Sequence, residues 1–363
     1  MQLPVMHPVK PMLAKPVAAI PEGQFYEPKW DGFRAVIFRD GGEVEIGSRK
    51  ERPMTRYFPE LVEAVLREFP PRAVIDGEIV IAGEGGLDFG ALQQRIHPAA
   101  SRVTRLAGET PASFVAFDVL ALGDEDLTGR PFSARRAALE RALADAAPPV
   151  HVTPVTRDEA VARDWFERFE GAGLDGIIAK RADLTYQPDK RVMAKIKHVR
   201  TADCVVAGYR VHKAADDAIG SLLLGLHVDG AAPRSQWGDH TAGLAPVGVI
   251  GAFPMARRRE LFAELQPLVT DIAQHPWSWA AGHTGGPEGG SRWNPGKDLS
   301  FVPLRPERVV EVRYDYLEGA RFRHPPQFVR WREDRDPASC GYAQLDQPAP
   351  FDLADVLAGR LGS

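Results

Sequence analysis

Cysteine is nearly absent from this chain: Cys204 and Cys340 are its two thiols, far apart and without metal-ligand spacing. That scarcity excludes a disulfide framework and a zinc finger, and reduced thiols are the simple expectation. No uncharged apolar run approaches the ~20 residues that span a bilayer, so no membrane partner is expected. The opening stretch, Met1 to Lys10, lacks a basic flank followed by an unbroken apolar core. A secretory signal is therefore not expected and a cytoplasmic setting is. A surplus of either charge is missing too. The 45 basic residues face 49 acidic ones, with 27 against 29 up to His198 and 18 against 20 beyond it. Any contact with nucleic acid must come from local basic patches rather than a global field.

What the chain does contain is ordinary globular material. Hydrophobic residues make up 44% and charged residues 26% of 363 positions, enough to bury a core in each of about two domains. There is no internal repeat. One segment rich in Gly, Pro and Trp, His275 to Asp298, reads as a long loop.

The first half mixes helices and strands. Phe58, Leu61, Val62, Val65, Leu66 and Phe69 share one helical face. Thr156 with Glu159 forms a capping-box pattern for a second helix, and Ser133 can cap an Ala-rich third reaching about Asp145. Asp88 can cap a short helix from Phe89 to Arg95. Strand-like runs lie between these segments: Arg34 to Arg39, Ala73 to Ile81, Ser113 to Leu120, Gly176 to Lys180 and Val192 to Lys197. They lack the regular helical crossovers of a doubly wound sheet, so an α+β domain with mixed or antiparallel sheets is expected. Beyond His198 the pattern changes to five β-like runs with one helix, about Met255 to Val269, before the fourth. That is the order of a small all-β barrel of the OB type.

The sharpest chemical feature is Glu27-Pro28-Lys29-Trp30-Asp31-Gly32-Phe33-Arg34. A lysine held between fixed backbone points can act as a nucleophile if its ammonium loses a proton. Its free pKa of about 10.4 would be lowered by nearby cations, a metal or partial burial. Alone, this segment reads more readily as a surface lysine beside a β-turn.

Further segments follow in order: Gly47-Ser48-Arg49-Lys50, Asp76-Gly77-Glu78, Phe114 to Leu120, Asp175-Gly176-Ile177-Ile178-Ala179-Lys180, Lys195-Ile196-Lys197 and Arg332-Glu333-Asp334-Arg335. Together they resemble the motif set of the covalent nucleotidyltransferases: ATP-dependent DNA ligases, RNA ligases and mRNA-capping guanylyltransferases. The variations, with Ser291 to Asp298 and Phe328 to Arg335, resemble the short two-domain bacterial repair-type DNA ligases. The resemblance implies a nucleotidyltransferase (adenylation) domain over 1–198 and an OB-fold domain over 199–363.

The resemblance also assigns roles. Lys29 would attack the α-phosphate of ATP and carry AMP. Arg34, Arg49, Lys180, Lys195 and Lys197 would supply cations for the polyphosphate. Glu78 and Asp175 would hold Mg²⁺ or Mn²⁺. Phe117 would stack on adenine, Ile177 would cover its other face, and Glu27 would read it. Arg332, Asp334 and Arg335 would meet the leaving pyrophosphate. The implied partner is nicked double-stranded DNA, with other repair proteins as helpers and the enzyme itself a monomer. Candidates for gripping DNA are Arg257-Arg258-Arg259, the stretch Ala281 to Lys297, Arg321 and Arg323. RNA joining, cap transfer and a non-catalytic OB-type single-strand binder are the alternatives. Three departures from the motifs stand out. Asp175 replaces the usual Glu, Arg335 the usual Lys, and Met193 sits where Trp often opens the fifth motif.

Overall fold

Runs of apolar residues in the first half pair into two sheets. Their strands are β1 (Leu13–Pro16), β2 (Phe25–Pro28), β3 (Phe33–Asp40), β4 (Glu43–Ser48), β5 (Arg72–Val80), β6 (Ser113–Leu122), β7 (Val150–Val152), β8 (Ile177–Lys180) and β9 (Arg191–Ile196). One sheet runs β1-β9-β8-β2 and the other β7-β6-β5-β3-β4. The β1–β9 and β7–β6 pairs are parallel and the other neighbours antiparallel, giving the mixed sheets expected of an α+β domain. The computed structural model describes residues 1–83, 85–228, 243–280, 300–345 and 349–360. These divide into two units, Met1–Lys197 with Pro348–Ser363, and His198–Gln347.

Helices α1 (Pro59–Glu68), α2 (Phe89–Gln94), α3 (Ala100–Glu109), α4 (Phe132–Ala142) and α5 (Glu159–Arg168) accompany the sheets of the first unit. Asp88 caps α2 as expected, accepting from the Ala91 N–H at 2.8 Å. Two other caps differ. Helix α4 begins at Phe132 behind an extended Pro131, so Ser133 is already helical and caps nothing. Asp158 caps α5, accepting from Ala160 and Val161. The Thr156 hydroxyl instead accepts from the Asp158 N–H. The carboxylate lies nearer the orphan N–H groups and carries the charge that a helix N-terminus favours.

Two arginines are fully buried in this unit. Arg135 makes a two-pronged pair with Asp118 at 2.8 and 2.9 Å. Arg95 does the same with Glu60 at 2.7 and 2.8 Å. Each guanidinium also donates to backbone carbonyls, which offsets part of the cost of burying its charge.

The second unit holds β10 (Arg200–His212), β11 (Ala215–His227), β12 (Leu244–Ile250), helix α6 (Met255–Leu265), β13 (Val309–Tyr314) and β14 (Gln327–Trp331). The sheet order is β12-β11-β10-β13-β14, antiparallel throughout. Numbered within the unit this is 3-2-1-4-5, the order of an OB fold. Among the described residues no ladder joins β12 to β14, so the sheet is a partly open barrel rather than a closed one. Cys204 and Cys340, distant in sequence, are both buried in this unit's core and free. No helix among the described residues is long and apolar enough to cross a membrane.

One assignment changes. Residues 349–360, given by sequence to the OB domain, pack in the first unit. Leu353 and Val356 share a core there with Trp165, Phe169 and Leu174. Burying that apolar stripe is the physical reason for the return.

Replacing Arg135 with Met would leave Asp118 a buried charge without its partner. Urea denaturation of R135M is expected to show a loss of about 3 kcal/mol relative to wild type.

Candidate active site

The two sheets of the first unit face a pocket, and strand register decides which side chains enter it. Ile178 on β8 sits opposite Glu27 on β2 and opposite Lys195 on β9, so these three form one row across the sheet. All three line the pocket, together with Lys29, Met193 and Lys180. Arg34, Glu78 and Phe117 line it from the other sheet, and Arg49, exposed just beyond β4, borders it. Ile177, expected to cover the base, is fully buried in the core behind this wall. Successive strand residues point to opposite faces, so the side chain facing the pocket is Ile178.

Two glycines let the Lys29 segment lie close to its neighbours. A Cβ on Gly32 would sit 2.1 Å from the Ile79 carbonyl oxygen, and one on Gly176 would sit 2.0 Å from that of Ile196. Gly176 also has φ +103°, which other residues rarely adopt. The close approach permits a backbone exchange. The Lys29 N–H donates to the Gly176 carbonyl at 2.8 Å, and the Asp175 N–H donates to that of Lys29 at 3.0 Å. Asp175 is thereby fixed beside Lys29. Its Oδ2 accepts from Lys29 Nζ at 2.7 Å and from Lys197 Nζ at 2.6 Å.

The cations named from sequence divide into two groups. Arg34 is clamped by Asp76 through two bonds of 2.6 and 2.7 Å, which raises its pKa, and its guanidinium lies 4.3 Å from the Phe117 ring centre. Lys180 is buried and paired to Glu27 at 2.7 Å, and it also donates to the Phe117 carbonyl. It forms part of the pocket floor, where an exposed polyphosphate ligand had been expected. Arg49 and Lys195, by contrast, have no ion-pair partner among the described residues. Burial, with Lys197 and Lys29 as cationic neighbours, pushes the Lys195 pKa down.

Sequence reading missed Asp76 and Arg136. Asp76 alternates with Glu78 on β5, so a shared face was the available signal. Tyr186 also donates to Asp76, at 2.6 Å. Arg136 on α4 reaches Glu27 at 3.4 Å and donates to the Thr153 carbonyl at 2.6 Å. Nothing in the local sequence marks it.

Glu78 accepts from the Gly32 N–H at 3.2 Å. Burial pushes its pKa up to about 7, against the pull of Arg34 and Lys29. A carboxylate so short of compensating charge fits a divalent cation that arrives with a nucleotide. Among the described residues no three His, Cys, Asp or Glu gather into a ready-made metal cage. Mg²⁺ commonly takes one or two carboxylates plus phosphate oxygens, which this donor set can supply.

In the second unit, Arg332 donates to Asp203 at 3.0 and 3.1 Å and to Asp334 at 2.9 Å through each of two nitrogens. Arg332 holds the Asp334 carboxyl down at about 2. Arg335 lies 3.6 Å from the same Asp203. Of the proposed DNA contacts, Arg258 donates to the carbonyls of Phe253, Ile219, Gly220 and Gly251 and so braces the fold. Arg257 is paired with Glu260 and Glu264, and Arg259 with Asp217. Burial lowers the Arg323 pKa to about 10, and its guanidinium lies 5.6 Å from the Tyr316 ring centre. Arg321 lies on a short strand paired with Leu317–Glu318. The stretches Ala281 to Lys297 and Ser291 to Asp298 lie outside the described residues.

Comparison with known proteins agrees with the ordered motifs. A family model described as "ATP dependent DNA ligase domain" matches residues 11–197, and one described as "ATP dependent DNA ligase C terminal region" matches 215–335. DNA ligase C2 of Mycolicibacterium smegmatis is 67% identical over 354 residues, covering 96% of this chain and 97% of that protein. DNA ligase C of Mycobacterium tuberculosis is 66% identical over 368 residues, covering 99% of each. A solved Lig E DNA ligase shares the fold with a TM-score of 0.53 at 17% identity, over 89% of this chain and 99% of that one. The chain belongs to the ATP-dependent DNA ligase family. It is an enzyme of that class, and ATP is its nucleotide.

The Glu78 shift has a pH consequence. The folded state binds the proton more tightly than the unfolded chain, whose pKa is 4.5. This contribution is fully present below pH 4.5 and is lost as pH rises through about 7. Without nucleotide or metal, E78Q should therefore melt above wild type at pH 8, with the gap closing toward pH 5. Paired calorimetric scans check this, and a gap that widens on acidification would contradict it.

Proposed function

We propose that this ligase seals nicks in duplex DNA through an AMP–Lys29 intermediate. The single observation that carries the reading is the position of Lys29. It lines a pocket together with Lys195 and Arg49, neither ion-paired among the described residues, and its ammonium lies 2.7 Å from one carboxylate oxygen. Its proton must leave before attack, and Asp175 is the acceptor within hydrogen-bond reach. The Lys29 amine then attacks the α-phosphorus of ATP. A P–N bond forms, the P–O bond to pyrophosphate breaks, and pyrophosphate departs with the electron pair. Charge grows on the phosphoryl oxygens in this step, and Lys195 and Arg49 supply cations at the pocket.

The AMP passes next to the 5′-phosphate at the nick. The 3′-hydroxyl then attacks that phosphate and expels AMP. Glu78, joined by Asp175 once its lysines turn to phosphate, would hold Mg²⁺ or Mn²⁺. The ion would supply further positive charge against the phosphates. Arg332, Asp334 and Arg335 are proposed for the leaving pyrophosphate. The enzyme is proposed to act as a monomer in DNA repair.

The base is read at the pocket floor. Glu27, whose two oxygens face Lys180 and Arg136, presents its carboxylate as an acceptor. Two of its lone-pair positions remain for a donor such as the 6-amino group of adenine. Lys180 spends two N–H groups on Glu27 and Phe117 and keeps a third for a ring nitrogen. A 6-oxo purine presents the opposite pattern. Phe117 and Ile178 are the proposed covers for the two faces of the ring.

Incubating the protein with labelled ATP and a divalent cation should attach label to wild type and none to K29A. Absence of label, or label from GTP alone, would defeat the proposal. E27Q should lower the rate of AMP attachment about tenfold or more, the size of a lost charged hydrogen bond. It should also narrow the preference for ATP over ITP. The ratio of kcat/KM for the two nucleotides reads this directly.

A further inference from the structure

The chain leaves the first unit at Lys197, builds the second, and returns to the first with residues 349–360. The returning segment is seated by several independent contacts. Phe351 packs on Phe169 with ring centres 5.2 Å apart, and the Arg168 guanidinium lies 4.9 Å from the Phe351 ring centre. Leu353 and Val356 lie on α7 (Leu353–Leu357), which Asp352 caps, and both are buried. The Leu357 carbonyl meets His151 Nδ1 at 3.1 Å. The approach at Gly171 is tight enough that a Cβ there would lie 1.8 Å from the Ala349 carbonyl oxygen.

What this segment covers is the support of the nucleophile. Phe169 begins a 3₁₀ turn ending at Ala172, and its carbonyl accepts from the Leu174 N–H. Asp175 comes next and exchanges backbone bonds with Lys29. Leu353 and Val356 share their core with Leu174 and with Trp30, the residue after Lys29. We infer that residues 349–360 are a positioning element for adenylyl transfer, holding the Asp175 and Lys29 segments in register through Phe169, Leu174 and Trp30. The inference rests on Lys29 being the nucleophile. It gives the returning segment a part in the first chemical step, although it follows the OB unit in sequence.

The test uses the full chain carrying G171V, with V356D as a companion that places a charge in the buried seat. Hydrogen exchange across 349–360 reports whether the segment is docked. With the segment released, AMP attachment at saturating ATP should slow by roughly tenfold, while KM for ATP changes by less than about twofold. Joining of a pre-adenylylated nick, which needs no attack by Lys29, should stay near the wild-type rate. A merely structural lesion would lower both reactions together, and that result would overturn the inference. So would wild-type AMP attachment with the segment exchanging like free peptide. If G171V stays protected, V356D is judged by the same criteria. A wild type that takes no AMP removes the nucleophile reading itself, whereas a labelled wild type with an equally fast released variant removes only this inference.

Discussion

One oxygen atom, Asp175 Oδ2, accepts two ammoniums at 2.6 and 2.7 Å. Without that carboxylate, Lys29 and Lys197 would meet as like charges in a partly buried wall, with Lys195 adding a third. The motif spacing gathers three lysines, and the acid lets the fold tolerate them before any phosphate is bound. A triphosphate carries enough negative charge to take over that task. Under the proposed chemistry Asp175 would then be free to turn to a metal or a proton. The arrangement is thus organised around a ligand yet stable without it.

The same logic separates structural from available charge. Arg34 with Asp76, and Lys180 with Glu27, are salt bridges made within the protein itself. Such groups cost too much desolvation to be left single, and each has acquired a partner of opposite sign. Their value to the site lies in fixed geometry: Arg34 lies against Phe117, and Lys180 holds the Glu27 carboxylate in place. Among the described residues Arg49 and Lys195 have no ion-pair partner, and it is these that are proposed to meet a polyphosphate. A sequence motif records that a cation is needed without recording which of these two duties it performs.

The order of the motifs made the family and both folds readable from the sequence. Which side of a strand faces the pocket was not readable, because Ile177 and Ile178 are equally apolar and only the pairing with Glu27 and Lys195 decides between them. The helix caps at Thr156 and Ser133 failed for a similar reason. Several polar residues compete near each helix start, and local backbone geometry selects one. Helix α3 gave no sequence expectation at all. It buries Val103 and Leu106, three positions apart on one face, a short period that the sequence reading passed over. Arg136 and the returning segment depend on contacts across more than a hundred positions, which no local pattern can encode.

That last contact bears on how the first unit is completed. Its last strand, β9, ends at Ile196, yet part of the core around Trp165 and Phe169 is supplied by Phe351, Leu353 and Val356. Domains generally fold as units while the chain is being made, the first part first. Here the first 197 residues can pair their strands early, but an apolar groove stays open until about 150 further residues of the second unit have been added. The support of Lys29 is therefore finished only once the OB unit is already attached. Because the second unit is joined to the first at both of its ends, its freedom is that of a loop rather than of a pendant domain. Loop closure limits how far such a unit can travel and raises the effective concentration of its surfaces near the first unit. A second connection anchored in the core around Trp30 and Leu174 ties the two units by covalent topology at both ends of the OB unit.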